Sequence, residues 1–131
     1  MDVLCDTSFL LIIVTNPIKM MDSVEKDFGK INFIVPDVVI DELCRLQQKS
    51  TMKKAKLAKL AMEISKKFPK VTTSKFKHID DNILEYAYIH KCAVATLDKK
   101  LIKDLSAKNI IVISLRNNKM VIVNNYRNRQ T

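Results

Sequence analysis

The sequence predicts an α/β protein, a three-layer α/β/α sandwich around a mainly parallel central sheet. Three observations carry that prediction. Short apolar runs alternate along the chain with longer segments whose apolar residues recur at helical spacing. The runs are apolar throughout, as in strands buried on both faces. Acids follow directly on two of them: Asp6 after Val3-Leu4-Cys5, and Asp98 after the run from Cys92 to Thr96. In open α/β sheets the carboxyl ends of the strands carry the chemistry, because loops and helix N-termini converge there.

The opening stretch, MDVLCDTSFLLII, sets the frame. Val3 to Cys5 is the first strand and delivers Asp6 at its end. Phe9 to Val14 is apolar on all sides and fits a short buried helix or a continuation of the strand; Thr7 or Ser8 as a cap favours the helix. Asn16-Pro17 reads as a turn, and Lys19 to Phe28 as a helix with Met20, Val24 and Phe28 on one face. Gly29, the only glycine in the chain, falls where a C-cap belongs. Ile31 to Val35 is the second strand. Pro36-Asp37 opens a helix to about Lys49, with Val39, Leu43 and Leu46 inward and Glu42 in its second turn beside that stripe. Met52 to Phe68 reads as a long helix with Ala55, Leu57, Ala58, Leu60, Ala61 and Ile64 for the core, ended by Pro69.

Val71 to Thr73 is a brief third strand at the sheet edge. Asp80 starts a helix containing Ile83, Leu84, Ala87 and Tyr88. Cys92 to Thr96 is the fourth strand, Leu101, Ile102 and Leu105 mark a further helix, and Ile110 to Ser114 is the fifth strand. Met120 to Val123 is a sixth, antiparallel at an edge after the turn Arg116-Asn117-Asn118-Lys119. One domain therefore spans residues 1–123, and residues 124–131 form a polar, flexible tail.

A chain of 131 residues fits one domain, and 47% hydrophobic content supplies a core. Lys and Arg number 23 against 14 Asp and Glu, a net charge of +9. Such a surplus favours anionic partners, nucleic acid first and an anionic membrane surface second. Cys5, Cys44 and Cys92 have no metal-binding spacing and sit in apolar runs, so they read as core residues in a reducing compartment. The first apolar stretch contains Asp6 and is too short to span a membrane, so a cytoplasmic protein is expected. With one glycine, phosphate-loop and dinucleotide motifs are absent, which argues against an ATPase, a GTPase or a dehydrogenase.

The acids carry the functional reading. If the first and fourth strands are parallel neighbours, Asp6 and Asp98 share one edge. Asp80 can cap its helix beside them, with Asp81 adjacent, and Glu42 can point in from the neighbouring helix. Carboxylates so close raise one another's pKa unless a cation is present, and hard divalent ions take oxygen ligands. The pattern suits one or two Mg²⁺ or Mn²⁺ ions that activate water for attack on a phosphodiester. Each acid also has a plainer reading: Asp80 and Asp81 as N-terminal helix acids, Asp98 as a cap before Lys99-Lys100, Glu42 as a surface group. Asp6, directly after a buried strand, is the hardest to dismiss.

These segments resemble the PIN-domain ribonucleases: VLCDTSFLL around Asp6, VPDVVIDEL ending near Glu42, DDNILEYA from Asp80, and VATLD ending at Asp98. The resemblance runs from Met1 to about Val123. It implies a PIN-like fold and a Mg²⁺- or Mn²⁺-dependent endoribonuclease. It also implies that Asp6, Glu42, Asp80 and Asp98 are catalytic and hold the metal, with Asp81 just behind them and Thr7 and Thr96 orienting a ligand or water. The chain is most similar to small archaeal proteins of the Fcf1/Utp24 type, which implies ribosomal RNA processing and a ribosome-assembly partner. A toxin of the VapC type, held by an antitoxin, is the second subgroup, and a non-catalytic RNA-binding assembly protein a further alternative. Homodimers are common in the family.

Lysines crowd the stretch from Lys49 to Lys77, where Lys49, Lys53, Lys54 and Lys56 are expected to touch RNA phosphates, with Arg116 and Lys119 as a second cluster. A merely solvated helix face is the plainer alternative. Phe68, Phe76, Tyr86 and Tyr88 read as core residues rather than base-stacking ones, and Tyr126 in the tail as the most exposed aromatic.

Overall fold

Each of the first four strands hands over to a helix, and the fifth turns back into the sixth. The computed structural model describes residues 1–15, 25–26, 29–117 and 119–124. The expected turn at Asn16-Pro17, most of the helix expected over Lys19 to Phe28, Asn118, and residues 125–131 with Tyr126 lie outside them. In chain order the described elements are β1 (Asp2–Cys5), α1 (Thr7–Ile13), β2 (Asn32–Pro36), α2 (Asp37–Lys49), α3 (Met52–Ser65) and β3 (Lys70–Val71). There follow α4 (Ile79–His90), β4 (Ala93–Ala95), α5 (Lys99–Ala107), β5 (Val112–Arg116) and β6 (Lys119–Ile122).

The strands form one sheet in the order β3-β2-β1-β4-β5-β6. All pair in parallel except β6, which runs antiparallel to β5 at the edge. Helices α1, α2 and α3 pack on one another, and α4 packs on α5, as expected of right-handed crossovers that turn one way before β3 and the other way after it. The result is the three-layer sandwich the apolar runs imply. Val3, Leu4, Cys5, Val94, Ala95, Val112 and Ile113 are all fully buried, so both faces of the central strands are covered. Phe33 of β2 lies 5.5 Å from both Phe9 and Phe68, centroid to centroid, and ties α1 and the end of the α3 segment to the sheet.

Local chemistry explains where the elements end. Gly29 has φ of +77° and donates its N–H to the Glu25 carbonyl at 3.0 Å, the helix-ending role expected of it. Thr51 caps α3 by accepting from Lys54 N–H at 3.3 Å. With a single glycine available, other left-handed positions fall to Lys75, Lys91, Asn109 and Asn117.

Several expectations need correction. Neither Thr7 nor Ser8 caps α1; Asp6 stands at the N-cap position and its side chain makes no cap bond. Helix α3 ends at Ser65 rather than Phe68, and its buried face is Ala58, Ala61 and Ser65. Small residues there let α3 approach its neighbours closely, which turns Leu60 outward to 51% exposure. Cys44 is exposed because it lies beside the Val39-Leu43 stripe rather than in it. Tyr88 and Phe76 are 61% and 46% exposed, so neither is a core residue. The strand cores also shift: β5 starts at Val112, since Asn109 makes a left-handed turn before it.

The tail boundary moves too. Asn124 is buried and tied to three groups of the body. Its Oδ1 accepts from Val112 N–H at 2.7 Å, and its Nδ2 donates to the Ile110 carbonyl at 2.6 Å and to Ser106 Oγ at 2.9 Å. Asn124, the first residue of the expected tail, is thus packed against the body.

A second polar tie holds the segment between β3 and α4. Asp37 accepts from Val38 N–H at 2.8 Å, Thr73 N–H at 3.1 Å and Thr73 Oγ1 at 2.8 Å, and pairs with Lys75 at 2.5 Å. Burial pushes the Asp37 carboxyl up, but Lys75, Thr73 and Val38 together outweigh it, and the net pKa lies below 3.8. A depressed native pKa adds stability that is present above the unfolded value and fades as pH falls through the native one.

Two outcomes follow for denaturation experiments. Asn124→Ala should lower unfolding free energy by about 2–3 kcal/mol, because it leaves Val112 N–H and Ile110 C=O unpaired. Asp37→Asn should cost about 1 kcal/mol at neutral pH, the carboxylate being partly solvated. Its deficit against the parent should shrink in melts recorded below pH 3.8, the ordinary carboxyl value.

Candidate active site

The sheet order makes β1 a switch point: the chain leaves it toward β2 on one side, and β4 pairs on the other. Asp6 stands at the carboxyl end of β1, and its N–H donates to the Ala95 carbonyl at 3.0 Å, so the β1–β4 ladder runs into the acid itself. The residue is only 6% exposed. A carboxylate so placed needs partners, and two hydroxyls supply them. Thr96 Oγ1 donates to Asp6 Oδ2 at 2.7 Å and Ser8 Oγ donates to the same oxygen at 3.0 Å. Those hydroxyls are fixed in turn: Ser8 Oγ accepts from Leu97 N–H at 3.0 Å, and Thr96 Oγ1 accepts from Asp98 N–H at 3.1 Å. Among the described residues no donor reaches Asp6 Oδ1, which leaves that oxygen for a ligand.

Asp98 begins α5 and serves as its cap, Oδ1 accepting from Lys100 N–H at 2.9 Å and Leu101 N–H at 3.2 Å. Asp80 lies in the first turn of α4 and is partly buried. Burial pushes its carboxyl above 3.8, the charges of Asp6 and Asp98 push it further, Lys100 opposes them and Asp81 adds a little. The Asp80 carboxyl thus feels the charges of both Asp6 and Asp98, which stand at the starts of α1 and α5. Asp81 is exposed beside them. Cys5, next to Asp6 but fully buried in the sheet, has its thiol pushed well above its usual value by burial and by the Asp6 charge, so it is no nucleophile.

Glu42 behaves differently. It is part-exposed on α2 and pairs with Arg45, one turn on, at 2.5 Å. It is not among the charges acting on Asp80. Thr96 is fully buried and orients Asp6 directly, while Thr7 Oγ1 is buried with no hydrogen-bond partner.

The donors fit a hard divalent cation: three carboxylates and nearby hydroxyls, all oxygen, with no thiol or imidazole among them. The orphaned Thr7 hydroxyl beside Asp6 is a further free oxygen. Among the described residues, however, no three such groups close into a ready cation cage.

Basic residues divide between two ends of the molecule. Helix α2 starts at the carboxylate rim and carries Lys49 on its last turn, roughly 18 Å away at 1.5 Å per residue. Lys53, Lys54 and Lys56 open α3 just beyond, so these four exposed lysines sit remote from Asp6. Arg116 and Lys119 pair in register across the β5–β6 hairpin, at the rim itself. There Arg116, Lys99 and Lys103 line a shallow groove of about 660 Å³ with Leu97, Ser114 and Val123.

Sequence reasoning missed Ser8 as a partner of Asp6. A hydroxyl two residues after an acid at a helix start is the available signal. It also missed the basic groove, since Lys99, Lys103 and Arg116 meet only through the β4–β5 pairing.

Among the described residues no helix is long and apolar enough to cross a membrane. No curated protein matches the chain by sequence. Solved structures share its fold. The PIN domain endonuclease Utp24 superposes with a TM-score of 0.78 at 24% identity, over 94% of this chain and 91% of that one. A domain of a functionally unknown protein from Methanocaldococcus jannaschii superposes at 0.64 and 15% identity, over 88% and 91%. PAE2754 from Pyrobaculum aerophilum superposes at 0.55 and 15%, over 86% and 83%. The family model described as PIN like domain matches residues 3–118, nearly the whole described sheet and its helices, and the chain belongs to that family.

Proposed function

We propose that this PIN domain is a Mg²⁺- or Mn²⁺-dependent endoribonuclease, with Asp6, Asp80 and Asp98 as the carboxylates that hold the cation. The observation that carries the reading is Asp6, buried at the carboxyl end of β1 in a chain of the PIN family and held by Thr96 and Ser8 through one oxygen; repulsion from Asp6 and Asp98, after burial, also raises the Asp80 carboxyl. A bound divalent ion would relieve that repulsion, lower the pKa of a water and stabilise the leaving oxygen. The chain's own residues do the rest. Thr96 and Ser8 hold Asp6 by one oxygen and aim the other into the crevice. Asp98 keeps its place by capping α5. The groove of Lys99, Lys103 and Arg116 beside Asp98 gives RNA phosphates a path away from the site. Glu42 joins as a fourth, weaker contributor, since Arg45 competes for it. Lys49, Lys53, Lys54 and Lys56 would meet only RNA long enough to reach the far end of α2.

Likeness in fold to an endonuclease over both chains' length supports hydrolysis inside the strand. Ribosomal RNA is the substrate that the Fcf1/Utp24 resemblance implies, with a ribosome-assembly partner. Growth arrest on expression, relieved by a small partner protein, would instead favour the toxin reading.

Asp6→Asn should abolish cleavage of single-stranded RNA, and calorimetric titration should show its Mn²⁺ binding lost while RNA affinity is retained. Glu42→Gln should weaken Mn²⁺ less. Cleavage that proceeds at full rate in EDTA would sink the proposal. Thr96→Val, which removes the donor to Asp6 and leaves Asp98 N–H without its acceptor, should slow cleavage about ten- to a hundredfold and also lower unfolding free energy by about 1–3 kcal/mol.

A further inference from the structure

The segment between β3 and α4 is short, exposed and unusually well tied. Thr73 and Lys75 are bound to Asp37. Ser74 Oγ donates to Glu85. Asn82, itself 1% exposed, accepts from Phe76 N–H at 2.7 Å and donates to the carbonyls of Phe76 at 3.0 Å and His78 at 2.9 Å. Residues 73–78 are therefore clamped from α2 on one side and from α4 on the other. The clamp does not serve to bury the one large apolar side chain in the segment. Phe76 stands 46% exposed between Lys75 and Lys77.

A single exposed apolar side chain needs no explanation by itself. Two further facts make this one informative. Asn82 fixes the Phe76 backbone against the first turn of α4, the turn that carries Asp80. And β3 pairs in parallel with the end of β2, so the segment leaves the sheet at the rim where Asp6 and Asp98 lie. An exposed aromatic ring on a backbone fixed next to the turn of Asp80, with an exposed lysine beside it, has the form of a stacking platform for an unpaired base. Its entropy cost is already met in the free protein.

We propose that Phe76 stacks a base of single-stranded RNA next to the carboxylate crevice, with Lys77 holding an adjoining phosphate. This rests on the reading of the domain as an RNA enzyme and names the form of its substrate: unpaired at the position entering the site. The strand would then run from Phe76, past Asp80 and Asp6, toward the groove of Lys99, Lys103 and Arg116. The competing occupant of an exposed phenyl ring, an apolar protein surface, has no use for the exposed Lys77 beside it.

The chain contains no tryptophan, so Phe76→Trp places its only indole at the proposed platform. Titrated with oligouridylate in EDTA, where no cleavage occurs, this variant should show tryptophan emission quenched as the oligonucleotide binds. By anisotropy with the labelled oligonucleotide, Phe76→Ala should bind about five- to a hundredfold more weakly than the parent, at unchanged salt slope. Lys77→Ala should lower that slope by about 0.7. Phe76→Leu, which keeps apolar bulk without a π face, should behave like Phe76→Ala. Unquenched tryptophan at saturation, undiminished binding by Phe76→Ala, or full affinity in Phe76→Leu would each overturn the proposal, the second leaving the ring to an apolar protein surface and the third replacing stacking by a plain apolar contact. Because every measurement is made without turnover, a protein that binds through Phe76 yet never cleaves would remove the nuclease reading alone.

Discussion

A carboxylate sealed into the end of a central strand is the constraint around which this molecule is arranged. Burying a charge costs several kcal/mol unless it is compensated. Here compensation comes from two hydroxyls, Ser8 and Thr96, contributed by the residues that follow β1 and β4. Because Thr96 also accepts from Asp98 N–H, and Ser8 from Leu97 N–H, the same bonds that satisfy Asp6 set the path of the chain into α5. Charge burial and loop geometry are thus one problem with one solution. The crevice is rigid on its β1–β4 wall because loosening it would leave the charge exposed to apolar surroundings.

How much of this was readable in the residues depends on range. Strands and the helix faces of Val39-Leu43, Ile83-Ala87 and Leu101-Leu105 follow from local apolar periodicity, and the structure buries those residues fully. The parallel order and the antiparallel edge strand also follow, since helical crossovers leave few alternatives. What local pattern could not reveal was which of several apolar residues on one helix meets a neighbour. In α3 the alanine face won over Leu60, because close helix approach rewards small side chains. Phe76 reads as core by composition, yet polar ties from Asp37 and Asn82 fix its backbone where the ring faces solvent. Asp6 and Asp98 stand at the carboxyl ends of neighbouring parallel strands, as the apolar runs before them imply. Glu42 is held by Arg45, an i,i+3 competition that spacing does not weigh.

The electrostatic layout is polar in the literal sense. An acidic crevice is set in a chain of net charge +9, and the cations nearest to it, Lys99, Lys100, Lys103 and Arg116, flank rather than fill it. A polyanion drawn in by the surface field would be guided along the flanks, while the crevice itself repels phosphate. The lysines at the α2–α3 junction extend the field to the far pole and lengthen the stretch of polyanion that the surface can attract.

The scarcity of glycine has a consequence for how this surface tolerates change. Lys75 and Lys91 hold left-handed backbone that most chains would assign to a residue without a side chain. At those two places conformational strain and positive charge are carried by the same residue. Removing the charge with a β-branched or bulky apolar residue would damage the turn as well as the field, while glycine would ease the turn as it removed the charge. Charge at these two bends is therefore removed without strain only by glycine or asparagine, the residues that hold the same backbone elsewhere in the chain.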